Sequence, residues 1–368
     1  MSFTSAVGLR RRATGPADTV RPIAIAKEWL VQSSKTMSTI SIQQLQDDLN
    51  GRVIGPGDAE YDEARTIFYG GFERKPAVVV RVADASDVAR VVSLARETGL
   101  ELAVRSGGHS TAGHSVTEGG IVLDLSDMKG LEIDVEARTA WAETGLTAGE
   151  YTTAAAAHGL ATGFGDTGSV GIGGLTLGGG VGFLVRKHGL TIDNLLAADV
   201  VTADGQLLRV DSDTHPDLFW AIRGGGGNFG VATRFQFRLQ EVDTIVGGML
   251  ILPATPDVIA GFIAEAESAP EELSTIANVM TAPPMPFLPE EYHGRLVIFG
   301  LLAYAGAPGC RRTRDSPPPL ARRAPGRHGP PHVIPGDLHA RGGGISPGRE
   351  RAHDVRRVRR SHHCRNDH

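Results

Sequence analysis

Two glycine-rich segments carry the residues whose types and spacing suit binding of a phosphate-containing ligand. The first runs from Arg105 to Ser110 as RSGGHS and places Gly107 and Gly108 directly before His109. Neighbouring glycines let successive backbone N–H groups turn toward one centre, which suits a diphosphate. A lone histidine in a loop is more often a surface or capping residue than a reactive one. Here the preceding glycines and the second segment favour a reactive His109.

The second segment covers residues 163–182, with the sequence GFGDTGSVGIGGLTLGGGVG. Glycine loses more conformational freedom on folding than any other residue. This density therefore indicates close approach of the backbone to a ligand, with a tight packing corner as the structural alternative. A nicotinamide-dinucleotide fingerprint is the rival functional interpretation, because Asp193 follows Gly171 and Gly173 by about twenty residues. We disfavour it because we expect more glycine to follow, without a helix that has an apolar face.

Alternating short elements must position these two segments. The β-branched stretches PAVVVRV, LELAVRS and GGIVLDLS predict strands. Between the first two, a helix is predicted with Asp84 or Ser86 as its cap and Gly99 as its end. The stretch NLLAADVVTADGQLLRVD predicts a hairpin that turns at Asp204 and Gly205. A short helix at DLFWAIRGGGGNFG and an alternating strand at VATRFQFRL complete an α+β domain over residues 37–243.

Residues 244–306 predict the beginning of a second unit, in the order strand, helix, strand. VGGMLILPA and GRLVIFGLLAYAG are the strand candidates, and PDVIAGFIAEAESAP is the helix candidate. This unit looks incomplete. Tyr292 and Tyr304 are the residues here that could face a substrate, although a tyrosine in a strand is more often part of the core.

The composition is that of a globular protein with a high glycine content. The 368 residues are 41% hydrophobic and include 48 Gly, and the net charge is -5. The body is acidic, which argues against nucleic acid as a partner. We expect no membrane span, because no uncharged apolar stretch of about 18 residues occurs. Both cysteines, Cys310 and Cys364, lie near the C-terminus, so we expect no metal site in the body and a cytoplasmic location.

The two ends of the chain differ from the rest. Residues 1–36 show no sustained period and precede Met37, a candidate start, and no apolar run follows the arginines at 10–12 as an export signal would need. Residues 307–368 are rich in Arg, Pro and His, and from Cys310 onward they lack Phe, Tyr, Trp, Met and Lys. We expect a disordered basic tail. We interpret it as a shifted reading frame, with a natural basic tail as the alternative.

The motifs together resemble one family. The pairing of RSGGHS with GSVGIGGLTLGGGVGFLVRKHGLTIDNLLAADVVTADG and DLFWAIRGGGGNFGVATRFQF resembles the bacterial FAD-linked oxidases of the berberine-bridge-like branch, within the FAD-binding PCMH-type (vanillyl-alcohol oxidase) family. The similarity covers about residues 37–305. It implies an α+β fold, with a two-subdomain PCMH-type FAD-binding domain followed by an incomplete antiparallel-sheet substrate domain.

The resemblance also implies the cofactor and its ligands. His109 matches the histidine that is bonded to the flavin 8α-methyl carbon, and Thr167 stands where some members carry a second linking cysteine, so FAD is expected to be linked once. Asp193 and Asn194 have an alternative interpretation as turn formers. The other residues implied to contact FAD are Arg105, Ser106, Gly107, Gly108, Ser110, Gly168, Gly173, Thr176, Gly178 and Val231.

The implied reaction is hydride transfer from an alcohol, sugar or amine carbon to flavin, with a small-molecule substrate and O2 as partners. The sequence assigns neither a catalytic base nor an oligomeric state. An NADPH-dependent reductase of the same fold is one alternative. A non-catalytic remnant that retains at most flavin binding is another, because the Tyr-x-Asn motif of the family's C-terminal segment is not recognisable after Gly306.

Overall fold

The computed structural model of this protein describes residues 42–242, 244–306 and 332–336, the last range as backbone alone. The predictions for residues 1–36, including the leader and the start at Met37, lie outside the described residues. So do those for most of the basic tail, including Cys310 and Cys364. No helix within the described ranges is long and apolar enough to cross a membrane.

The first sheet has four strands in the order β1, β2, β4, β3, and β4 pairs in parallel with both β2 and β3. All four residues of β4 are buried, as expected of a parallel strand that is covered on both faces. The strands are β1 (Arg52–Ile54), β2 (Val78–Arg81), β3 (Leu102–Arg105) and β4 (Ile121–Asp124). The helices beside them are α1 (Ile42–Asp48), α2 (Tyr61–Arg65) and α3 (Ala85–Thr98).

Helix α3 has the boundaries that its sequence predicts. The side chain of Asp84 accepts hydrogen bonds from the backbone N–H groups of Ser86 and Asp87, so Asp84 is the N-cap. Gly99 ends the helix in the left-handed conformation. The buried face of α3 packs with β2 and β4 and meets Val201 and Val231 from the second sheet, which joins the two layers into one core.

The second sheet is antiparallel, with five strands in the order β5, β6, β10, β8, β9. Its core includes the fully buried side chains of Tyr151, Phe235 and Phe237. The strands are β5 (Leu131–Asp134), β6 (Thr139–Glu143), β8 (Leu195–Val201), β9 (Leu207–Asp211) and β10 (Val231–Arg238), with α4 (Ala148–Ala156) and α7 (Pro216–Ile222) beside them and a separate pair, β7 (Leu160–Ala161) and β11 (Gln240–Glu241).

The glycine-rich run differs from its prediction. It contains the short helix α5 (Ile172–Leu177), with Gly171 as N-cap, and the run is followed by α6 (Val185–His188). Two residues of α5, Ile172 and Thr176, are fully buried. The expectation that more glycine follows Gly171, without a helix that has an apolar face, was therefore wrong. The preceding strand β7 pairs antiparallel with β11, so the parallel unit that a nicotinamide-dinucleotide fingerprint needs is not formed there.

The third sheet is antiparallel, in the order β13, β14, β12, β15. The elements are β12 (Val246–Pro253), α8 (Pro256–Ser268), β13 (Leu273–Thr281), β14 (Leu296–Tyr304) and β15 (His332–Gly336). The predicted α+β class, with a two-subdomain domain followed by an antiparallel-sheet domain, is confirmed. Strand β15 lies within the basic tail and differs from the expectation that this tail has no regular structure.

Candidate cofactor site

The two glycine-rich segments meet backbone to backbone. A Cβ atom built on Gly107 would lie 2.2 Å from the backbone nitrogen of Gly171, and one built on Gly171 would lie 2.2 Å from the nitrogen of Gly107. No side chain fits at either position. This close approach brings the two glycine-rich backbones side by side, and closely packed glycine backbone can form a concavity that suits a diphosphate.

Ser106 and helix α4 hold the two segments together. The Ser106 hydroxyl donates to the carbonyl of Thr144 at 2.6 Å and accepts from the N–H of Gly173 at 3.3 Å. On the other side, the N–H of Gly149 in α4 donates to the carbonyl of Gly168 at 2.8 Å. A Cβ atom on Gly173 would meet the carbonyl of Thr144 at 3.0 Å, so this position also favours glycine.

Side chains on two segments surround His109. The His109 ring stacks on Phe68, with 3.9 Å between ring centroids and 19° between planes, and meets the edge of Tyr69 at 6.2 Å. Its Nε2 lies 3.1 Å from the Ser169 hydroxyl. Gly108, with φ of 70°, turns the chain into this position and accepts the N–H of Phe68 at 3.2 Å.

Partial burial lowers the pKa of His109 below its ordinary value, and a hydrogen bond to the backbone of Ser169 opposes this shift only in part. The ordinary value is about 6.5, so the imidazole is neutral at neutral pH. A neutral imidazole has one nitrogen with a free lone pair, and this nitrogen can act as a nucleophile.

The Arg105 side chain has a structural role. Its guanidinium donates to Asp124 at 2.8 Å and to the carbonyls of Ala64 at 2.5 Å and Thr66 at 3.4 Å. Burial by itself would raise the pKa of Asp124, but the Arg105 charge and the hydrogen bonds from Arg105 and Ser126 together outweigh burial and hold the pKa below its usual value. The side chain thus anchors the end of β3. The contact with FAD that the resemblance implies for Arg105 is a backbone contact.

Thr176 provides a test of whether a ligand fits here. Its hydroxyl is fully buried in α5 and has no hydrogen-bond partner among the described residues. A buried hydroxyl without a partner costs free energy, so such a group indicates an external polar partner. Together with the close approach of Gly107 and Gly171, this hydroxyl fits a bound cofactor. At the end of α5, the N–H of Gly178 donates to the carbonyl of Gly174 at 3.1 Å.

The side chains of Asp193 and Asn194 form a turn, which is the alternative that the sequence left open. Asp193 accepts from the N–H of Leu190 at 2.8 Å. Asn194 donates to the carbonyl of Leu190 at 3.1 Å and accepts from Gln240 at 3.0 Å. Both side chains therefore stabilise the 3₁₀ turn before β8, next to the glycine-rich run.

Other predicted residues lie around this centre with local partners. Val231 is buried at the start of β10 opposite Val201. The Ser110 hydroxyl accepts from the N–H of His114 at 3.1 Å. Thr167 is exposed, and its hydroxyl donates to Asp166 at 2.9 Å.

Sequence reasoning did not identify Phe68, Tyr69 and Ser169 as neighbours of His109. Two adjacent aromatic residues before Gly70 and Gly71, in a chain that is only 5% aromatic, were the available signal. Tyr292 lies in a 3₁₀ turn rather than a strand and is partly buried against a small apolar cluster. Across the described ranges, no group of three or more His, Cys, Asp or Glu side chains is arranged to hold a metal ion.

Comparisons with known proteins identify an FAD binding domain in this part of the chain. An FAD binding domain family matches residues 76–211, a range that includes both glycine-rich segments. The chain is 40% identical over 250 residues to (R)-6-hydroxynicotine oxidase of Paenarthrobacter nicotinovorans, which covers 68% of this chain and 50% of the relative. The chain spans about half the length of the curated relatives it matches.

Solved structures give the same result. BBE-like 1 of Physcomitrella patens matches with a TM-score of 0.68 and 26% identity, covering 81% of this chain and 63% of that one. Xylooligosaccharide oxidase of Myceliophthora thermophila C1 matches with a TM-score of 0.62 and 28% identity, covering 73% and 56%. The chain therefore carries an FAD binding domain, and its relatives are FAD-linked oxidoreductases and BBE-like oxidases of the PCMH-type, vanillyl-alcohol oxidase family.

Proposed function

We propose that this chain is an FAD-dependent oxidase that removes hydride from an alcohol, sugar or amine carbon, with O2 as the acceptor. The main supporting observation is the meeting of two glycine-rich segments beside a neutral His109 and the unpartnered hydroxyl of Thr176. A cytoplasmic location belongs to the same proposal. It rests on the absence of any cysteine before Cys310.

In this proposal the backbone of the two segments holds the diphosphate, and Thr176 donates or accepts one hydrogen bond. Bound FAD supplies the acceptor for hydride and the reaction with O2. The protein supplies orientation, through the contact of Gly107 with Gly171 and the bridge made by Ser106. The remaining proposed contacts come from Arg105, Gly108, Ser110, Gly168, Gly173, Gly178, Asp193, Asn194 and Val231.

The proposal includes one covalent bond, between a ring nitrogen of His109 and the 8α-methyl carbon of the flavin. The bond replaces one C–H of the methyl group and one N–H of the imidazole. The two electrons and two protons released remain on the flavin and then pass to O2, which leaves as H2O2. The lowered pKa of His109 favours this bond, because only the neutral imidazole has a free lone pair.

The proposed substrate class is broader than the substrate in the name of any one relative. The names of two relatives specify a hydroxylated nicotine, which is an amine, and a xylooligosaccharide, which is a sugar. Both are small molecules with an oxidisable C–H next to nitrogen or oxygen. We therefore propose a small-molecule substrate of one of these classes.

Flavin binding without turnover is the second candidate. The observation that favours it is the apolar surface of the third sheet, where Val279, Met280 and Leu296 are exposed. A substrate domain that leaves so much apolar surface in water is not a closed lid over a flavin.

The test is anaerobic reduction of the purified yellow protein by a panel of sugars, alcohols and cyclic amines, followed by addition of O2. We expect at least one class to bleach the flavin and O2 to restore the colour, with H2O2 detected by a coupled peroxidase. Strict dependence on NADPH without peroxide would favour a reductase. Flavin that no substrate reduces, but that O2 reoxidises after reduction by dithionite, would support the second candidate.

A further inference from the structure

We propose that Ser169 and Phe68 hold the His109 imidazole in the orientation and tautomer required for flavin attachment. Ser169 is then a positioning residue that acts through His109. This inference rests on the proposed covalent link. It adds Ser169 and Phe68 to the site. These two residues lie in segments that are far apart in the sequence.

The contact of Ser169 with His109 fixes one edge of the ring. The hydroxyl lies 3.1 Å from Nε2. Ser169 belongs to the segment whose backbone is already pinned by the contact between Gly107 and Gly171 and by the hydrogen bond from Gly149 to Gly168. The hydroxyl is therefore attached to an ordered backbone and can restrict the ring.

Phe68 fixes the face of the ring. Phe68 is 59% exposed and Tyr69 is 42% exposed, so burial in the core does not explain their positions. The chain before them is anchored by the bond from Arg105 to the carbonyl of Thr66. Phe68 itself donates its N–H to Gly108. The stacked ring is thus connected by backbone hydrogen bonds to the residue preceding His109.

The chemistry explains why an edge and a face must both be fixed. When Nε2 carries the hydrogen and donates it to the Ser169 hydroxyl, the free lone pair is on Nδ1, which becomes the nucleophile. The opposite tautomer has no lone pair on Nδ1. With its hydroxyl as the acceptor, Ser169 supports the reactive tautomer, and the stacked Phe68 ring restricts rotation of the imidazole.

The test follows attachment rather than turnover. Apoprotein from riboflavin-starved cells is incubated with FAD, and the flavin that stays on the polypeptide after acid precipitation is measured over time. Fluorescence quenching gives the non-covalent affinity for FAD on the same samples. The variants are Ser169→Ala, Ser169→Thr and Phe68→Leu. The controls are Ser268→Ala and Phe287→Leu, which lie in the third-sheet domain.

We expect Ser169→Ala to slow attachment about fivefold, the effect of one lost hydrogen bond, with unchanged affinity for FAD. Ser169→Thr should restore the rate because it keeps the hydroxyl. Phe68→Leu should also slow attachment, and both controls should match the wild type. Attachment at the wild-type rate in both Ser169→Ala and Phe68→Leu would overturn this inference alone. A loss of FAD affinity without a change in rate would also overturn it, while absence of acid-stable flavin in the wild type would overturn the covalent link itself.

Discussion

The flavin-binding part of the chain and the third sheet differ in how much apolar surface they leave exposed to solvent. The first two sheets are well packed, since one core cluster contains residues of both sheets, all of β4 is buried, and Phe235 and Phe237 are fully enclosed. In the third sheet, the second half of β13 is exposed, including Val279 and Met280. We therefore expect the order of the cofactor segments to depend more on the first part than on the second.

Arg186 contributes to the connection between the two parts, together with Lys187 and a small buried cluster. Arg186 in α6 donates to the carbonyl of Ala266 at 2.6 Å and to that of Ala269 at 2.8 Å, at the C-terminal end of α8. It also donates to Leu273 at the start of β13, at 3.2 Å. A cation at the C-terminal end of a helix is favoured by the helix dipole. Arg186 therefore attaches the third-sheet domain to the glycine-rich segment.

Truncation of a core phenylalanine in each part tests the difference most strongly. Phe235→Ala and Phe262→Ala should each lower the free energy of unfolding of their own part by about 3–5 kcal/mol. Phe235→Ala should also abolish flavin binding, whereas Phe262→Ala should leave it intact. Urea unfolding, monitored by flavin fluorescence and by far-UV circular dichroism, distinguishes loss of flavin binding from loss of folded structure. Loss of flavin in both variants would show that the parts are not independent.

The buried ion pair beside the glycine-rich loop should have an effect of similar size. Asp124→Ala leaves the Arg105 charge buried without a carboxylate partner, which costs about 3–5 kcal/mol. The exposed pair of Arg52 and Glu60 gives the control, since Glu60→Ala should cost about 0–1 kcal/mol.

The same pair predicts a pH dependence. The pKa of Asp124 is lowered in the folded state, so its contribution is complete above the unfolded pKa and is lost as pH falls through the folded pKa. Asp124→Asn should flatten the acid limb of the free energy of unfolding measured against pH. An unchanged acid limb would show that the pair makes no net contribution.

Removal of the link between the parts should have a smaller effect. Arg186→Leu deprives several carbonyls of their donor, and we expect a loss of about 1–3 kcal/mol. Limited proteolysis should then cut between α8 and β13 earlier than in the wild type, while flavin stays bound. Arg90→Leu, on the exposed face of α3, is the control. Equal cleavage rates in the two variants would contradict the assigned role of Arg186.

Surface substitutions should have the smallest effect on the free energy of unfolding. Their effect on aggregation should differ between the two parts. Val279, 55% exposed on the edge strand β13, and Val135, 46% exposed after β5, are the matched pair. Each change to lysine should alter the free energy of unfolding by less than about 0.5 kcal/mol. Val279→Lys alone should reduce aggregation measured by light scattering, because a charged edge strand resists pairing. A similar gain from Val135→Lys would remove the distinction.

Local signals in the sequence predicted elements well and contacts between elements poorly. Asp84 and Gly99 bound α3 because capping depends on residues within one turn. Gly205, with φ of 84°, forms the predicted hairpin turn. Helix α5 was missed because its glycines disfavour a helix by themselves, and burial of Ile172 and Thr176 outweighs that preference.

Contacts between elements at the site were likewise not predictable from local sequence. The pairing of Arg105 with Asp124 follows from the register of β3 against β4, which no local pattern specifies. The stacking of Phe68 on His109 joins segments about forty residues apart, so neighbouring sequence carries no sign of it. The motif located the cofactor segments, and tertiary packing decided which side chains surround His109.

The central claim is that both glycine-rich segments converge to hold FAD on His109. The most direct measurement is acid precipitation of the yellow protein, followed by tryptic digestion and mass spectrometry. The account predicts flavin mass on the peptide Ser106–Lys129, and release of all flavin into the supernatant by His109→Ala. Because His114 lies in the same peptide, the variant is essential to the assignment. Flavin in the supernatant of the wild type, or on the polypeptide of the variant, would contradict the claim.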